Sequence, residues 1–145
     1  KAGDETIEAV RSVTLSNEET VNTNPTLTSV DVVAIKAPDG STRDAPRVGD
    51  EIELAIKVGE GSSETYTKTE ELNGETVESQ ANEELIYTWY STAGELDRAR
   101  GVDEQRENVL TKLETEGRLL ISVAIRDGRG GFDLKSVELD VLPLE

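Results

Sequence analysis

Residues 126–141, RDGRGGFDLKSVELDV, set Asp127 ahead of Gly128-Arg129-Gly130-Gly131 and follow the glycines with a patterned run. A glycine-rich loop can wrap backbone N–H groups round a phosphate when it launches a helix whose amino end faces the anion, and the Walker form closes on Gly-Lys-Ser/Thr. Here no Lys follows the glycines directly, the spacing misses G-x-G-x-x-G, and the residues beyond read as a strand. Asp127, Gly128, Gly130 and Gly131 therefore fit a hairpin turn that needs positive backbone angles. GEGSS at 59–63 fails the phosphate test in the same way, with no Lys and no helix after it.

Calcium is the second chemistry the residue types permit, since Asp-rich loops at one end of a sheet structure supply the hard oxygens that ion prefers. Asp127, Asp133 and Asp39 are the candidate ligands, and Asp44, Asp97 and Asp103 also fall in or near predicted loops. No D-x-D-x-D-G spacing occurs, and capping of turns by Asp is the competing reading for each of them. Carboxylate pairs of the glycosidase kind are open by residue type, but thirty-one acidic residues make no one pair stand out. Tyr90 and Tyr66 are candidate ligand-facing aromatics, whereas Tyr87 and Trp89, sharing one parity, are read as core residues with Trp89 as the anchor.

Other chemistries are closed by composition. There is no Cys and no His, which removes disulfides, thiolate nucleophiles, zinc-thiolate sites and every Ser-His or Cys-His arrangement. A formal charge of -16 repels phosphate backbones and anionic headgroups, so no nucleic acid partner is expected. No run approaches the roughly eighteen apolar residues of a membrane span, so no direct membrane insertion of this segment is expected. With no Met, the chain is expected to be a processed or excised piece, any lipid anchor lying outside it.

The elements that must position these residues are strands. LLISVAI at 119–125 puts Leu119, Ile121, Val123 and Ile125 on one face, and EIELAIKV does the same with Ile52, Leu54, Ile56 and Val58. ELIYTWY at 84–90 and TSVDVVAIKA at 28–37 add two more, the latter with an ambiguous face. After the glycines, Val137, Leu139 and Val141 alternate with polar residues, but Phe132 and Leu134 share the other parity, which predicts a bulge near Asp133 to Ser136. NVLTKLETEG at 108–117 reads either as a helical turn or as a strand with Val109, Thr111 and Leu113 inward; the strand suits its surroundings better. Residues 59–83 are acidic and polar and contain Asn73-Gly74, the preferred type I′ pair, so an inserted hairpin is expected there. Residues 1–23 read as a connector with one strand, Ala9 to Leu15, which can be taken as the end of a preceding module, and 24–145 as one domain. The expected fold is all-β, an antiparallel sandwich of about seven strands.

Pro25-Thr26, Val48-Gly49-Asp50, Tyr87-Thr88-Trp89 and Asp127-Gly128-Arg129-Gly130-Gly131, in that order over residues 24–143, resemble the immunoglobulin-like, PKD-type modules of bacterial exported proteins, especially surface lipoproteins of myxobacteria and their relatives. The resemblance implies an extracellular, cell-surface or periplasmic β-sandwich that acts as spacer, display platform or adhesion module without catalysis, with a protein or glycan as partner. The acidic stretch at 59–83 departs from that pattern, whose corresponding loop is short. The alternatives are a calcium- or carbohydrate-binding module and an accessory domain of a secreted hydrolase.

Overall fold

The computed structural model describes residues 21–144, and every regular element among them is a strand. In chain order these are β1 (Leu27–Lys36), β2 (Glu51–Val58), β3 (Thr65–Leu72), β4 (Glu75–Asn82), β5 (Ile86–Ser91), β6 (Glu95–Leu96), β7 (Arg100–Val102), β8 (Glu107–Thr111), β9 (Gly117–Arg126) and β10 (Phe132–Val141). They form two four-stranded sheets, β1-β2-β8-β6 and β10-β9-β5-β7, and a separate pair, β3-β4. Every strand pairing is antiparallel. The expectation of about seven strands with an inserted hairpin is corrected to ten strands in three sheets among the described residues: β6 and β7 are short strands that alternation did not reveal, and β3-β4 lie within the stretch 59–83. The predicted strand Ala9 to Leu15 lies outside the described residues.

Alternation decides which side chains meet between the sheets. Ile52, Leu54 and Ile56 of β2 bury with Leu119, Ile121, Val123 and Ile125 of β9, joined by Leu27, Leu85, Tyr87, Trp89, Leu110 and Val141, in a single apolar cluster. Two sheets sharing one core are consistent with a β-sandwich. Each fully buried Leu or Ile contributes on the order of 1.5–3 kcal/mol, which is how a lean 34% apolar composition holds the chain together.

The ambiguous face of β1 has a backbone cause. Its register with β2 shifts between Leu27 and Ser29 and again between Val32 and Ala34, so Thr28 and Val33 are skipped and stand exposed. Those two shifts bring Leu27, Val30 and Ile35 to the same buried side despite their uneven spacing.

The bulge expected in β10 does not occur. Its register with β9 runs unbroken from Phe132 opposite Arg126 to Val141 opposite Gly117. Phe132 and Leu134 point outward with Ser136, and both are exposed, so their parity marks an apolar outer surface and not a switch of the core face.

Strand β8 also turns a different face inward from the one expected. Leu110, opposite Ile52, is buried with Asn108, whereas Val109 and Thr111 lie on the other side. Lys112 then adopts φ 53°, and this left-handed residue shifts the phase so that Leu113 is buried as well.

Candidate functional site

The turn between β9 and β10 converges with the foot of the β3-β4 hairpin. Asp127, just past β9, is buried; its Oδ1 accepts from the backbone N–H groups of Arg129 and Gly131, both at 2.8 Å, and its Oδ2 accepts from Asn22 Nδ2 at 2.7 Å. One carboxylate thus closes the glycine turn and holds the chain segment entering β1. Gly128 and Gly130 take φ 77° and 102°, angles that cost other residues steric energy. Gly131 is constrained by space: a Cβ there would overlap Asp127 Oδ2 and stand 2.6 Å from Pro25 Cδ.

Arg129 leaves this turn sideways. Its Nη1 donates to Glu83 Oε1 at 2.8 Å and to Asn22 Oδ1 at 3.0 Å, and lies 4.0 Å from Glu64 Oε2. Its guanidinium also sits 4.4 Å from the centroid of the Tyr66 ring, near enough for cation–π attraction. Glu83, with a side chain 0% exposed, gives its second oxygen to the backbone N–H of Glu64 at 2.9 Å. Glu64 Oε2 accepts from the backbone N–H of Thr23 at 3.0 Å, and that hydrogen bonding, with a smaller pull from Arg129, holds its carboxyl below its ordinary value. Glu83 and Glu64 flank the two strands of the hairpin, so a single cation ties the hairpin's root to the turn.

The candidate calcium ligands do not converge. Asp133 gives Oδ2 to the backbone N–H of Leu27 at 2.8 Å and Oδ1 to that of Leu134 at 2.9 Å, joining the start of β10 to the start of β1. Asp39 lies beyond the far end of β1, on the order of 30 Å away along a ten-residue strand. Its Oδ1 takes both the hydroxyl and the backbone N–H of Ser41, which hold its carboxyl below the usual value. Asp103 accepts from the backbone N–H of Leu85 and adopts φ 46°, while Asp44 and Asp97 are exposed. Among the described residues no group of three or more acidic side chains is arranged to hold a metal ion.

The aromatics divide by face. Tyr87 and Trp89 are buried between the sheets. Burial pushes the Tyr87 phenol up, and its hydroxyl donates to the Asp103 carbonyl at 2.9 Å. Trp89 Nε1 has no hydrogen-bond partner among the described residues. Tyr90 projects from the outer face of the β10-β9-β5-β7 sheet, whereas Tyr66 is half-buried under Arg129. The GEGSS loop lines a shallow groove of about 290 Å³ and clasps the chain: Gly59 N–H donates to the Thr26 carbonyl, and Ser62 Oγ accepts from Thr26 N–H.

Sequence reasoning missed Glu83, Glu64 and Asn22. Each sits in a polar run with no periodicity, and each meets a partner on a distant segment, so spacing carries no signal of the meeting. Arg129 between two glycines was the one legible hint, as a long side chain on a turn with no local partner. No protein-family model, curated protein or solved structure matches this chain.

Proposed function

We propose that the chain is a non-catalytic, immunoglobulin-like module of an exported bacterial protein, working at the cell surface or in the periplasm as a spacer that displays an acidic hairpin to a protein or glycan. The observation that carries this reading is the use made of the acidic groups at the glycine turn. Asp127, Glu83 and Glu64, the carboxylates closest to a candidate chemical site, all accept hydrogen bonds from this chain's own groups, and their effect is to fix β3-β4 where it leaves the sandwich.

Topology supports the architecture. In support of this reading, β1, β2, β8 and β6 can be read as strands A, B, E and D and β10, β9 and β5 as G, F and C, with β3-β4 inserted between B and C; β7 departs from that scheme, since it adds to the second sheet after β6. The hairpin itself is polar and exposed along nearly its whole length, which suits presentation better than core formation.

Antibody raised against residues 65–82 tests the placement. Labelling of intact source cells, or of cells with a permeabilised outer membrane, is the expected result. Labelling that appears only after the inner membrane is broken would overturn it.

A further inference from the structure

The outer face of the β10-β9-β5-β7 sheet differs from the rest of this acidic chain. Register sets Phe132, Arg126, Ile86 and Val102 in one row across the four strands and Leu134, Ala124, Thr88 and Arg100 in the next. Phe132 is 42% exposed and Leu134 50%, and the Arg126 guanidinium lies 5.9 Å from the Phe132 ring centroid. Among the described residues neither Arg126 nor Arg100 takes part in an ion pair. Exposed apolar side chains beside uncompensated cations, on a chain of net charge -16, form a surface suited to a ligand that is both apolar and anionic.

The same chain carries such a ligand. In the β3-β4 register Leu72 faces Glu75 and Glu70 faces Val77, so these four side chains share one face at the hairpin tip. Leu72 is 55% exposed and Val77 42%. Glu70 is ion-paired with Lys68 on the same strand, so a docking guanidinium has to share or displace that partner, whereas Glu75 has no ion-pair partner among the described residues. Asn73 and Gly74, at φ 54° and 83°, close the tip as a tight turn that keeps the two strands in step. Eight residues per strand carry the tip roughly 25 Å from the hairpin's root. No other described strand packs against the hairpin, so its tip is clear of its own sandwich among the described residues.

We propose that the hairpin tip of one copy docks on the Arg100–Arg126 face of a second copy. Leu72 and Val77 cover Phe132 and Leu134, while Glu70 and Glu75 pair with the two guanidinium groups. The donating and receiving surfaces are different parts of the chain, so the contact is head-to-tail and repeats from copy to copy instead of closing on itself. At physiological ionic strength the general repulsion between acidic chains is screened beyond about 8 Å, which leaves the local pairing to decide the outcome.

Two variants of the full chain separate the surfaces: Arg100→Glu with Arg126→Glu removes the receiving face, and Glu70→Lys with Glu75→Lys reverses the tip. All four residues are exposed, and circular dichroism confirms the fold of each variant. In sedimentation velocity the natural chain is expected to grow in mass with concentration, and each variant alone to associate at least about tenfold more weakly. Mixed, the two variants are expected to associate again and to grow in alternation, since the unchanged tip meets the unchanged face and the charge-reversed tip meets the charge-reversed face. A natural chain that stays monomeric to millimolar concentration, variants that associate as well as it does, or a mixture that forms no complex would each overturn the proposal. Leu72→Ser and Leu134→Ser, which leave charge untouched, are expected to weaken association as well; no effect from either would count against it. A monomeric result would leave the cell-labelling test unaffected, so the two readings fail separately.

Discussion

Arg129 Nη1 and Glu83 Oε1 stand 2.8 Å apart across forty-six residues of sequence, and this pair joins the β9-β10 turn to the foot of the hairpin. The Glu83 side chain is fully enclosed, whereas Arg129 keeps 23% of its side-chain surface in solvent. Removing the cation strands a buried carboxylate, which costs more than the ion pair itself returns. Arg129→Gln is therefore expected to lower stability by about 3 kcal/mol in urea unfolding. Adding Glu83→Gln to that variant is expected to recover much of the loss, and a double variant no more stable than the single would argue that Tyr66 stacking, not the ion pair, dominates.

Gly131 and Gly130 are predicted to fail for different reasons. Alanine at 131 collides with Asp127 and Pro25 and forces backbone movement, a cost of about 2–3 kcal/mol. Alanine at 130 has open space but must hold a positive φ, at about 1 kcal/mol. Denaturant midpoints should rank Gly131→Ala below Gly130→Ala, and the reverse order would show that turn conformation matters more than the enclosed Asp127.

The depressed carboxyl of Glu64 has a definite pH signature. Because its folded value lies below its unfolded one, its contribution is present above about pH 4.3 and is lost as pH falls through the folded value. Melting temperatures of the natural chain and Glu64→Gln should differ near neutrality and draw together in acid. Curves that stay parallel down to the acid transition would rule out that contribution.

Calcium gives a direct reading of the Asp residues. A ligand that binds only the folded chain adds about 2.7 kcal/mol at a hundred times its dissociation constant. Asp127, Asp133 and Asp39 all serve as hydrogen-bond acceptors within the chain, so melting in calcium is expected to match melting in magnesium at equal ionic strength. A rise specific to calcium would return these residues as ligands and reopen the binding-module alternative.

Strands with strict alternation were legible in the sequence, as in β2 and β9, because a period of two fixes the buried face without help from distant partners. The hidden parts depend on relations that a single chain segment does not hold. Phe132 and Leu134 have the pattern of a shifted core strand, yet an apolar outer face produces the same parity. In 108–113 the phase change at Lys112 comes from backbone conformation, which allows Leu110 and Leu113 to bury together at an uneven spacing. The glycine turn was legible as a turn, whereas its bond to Glu83 was not, since an acidic residue inside an acidic run has no distinguishing neighbour. Topology brought those groups together.

Strand β1 lies at the edge of its sheet, and its ladder is broken at Thr28 and at Val33. Only Ser29–Val32 offers an uninterrupted segment between the two breaks, too short to seed the accretion of a foreign ribbon. The irregularity that obscured the strand's inward face thus also limits this one edge: a foreign ribbon laid along β1 finds no more than four residues in step.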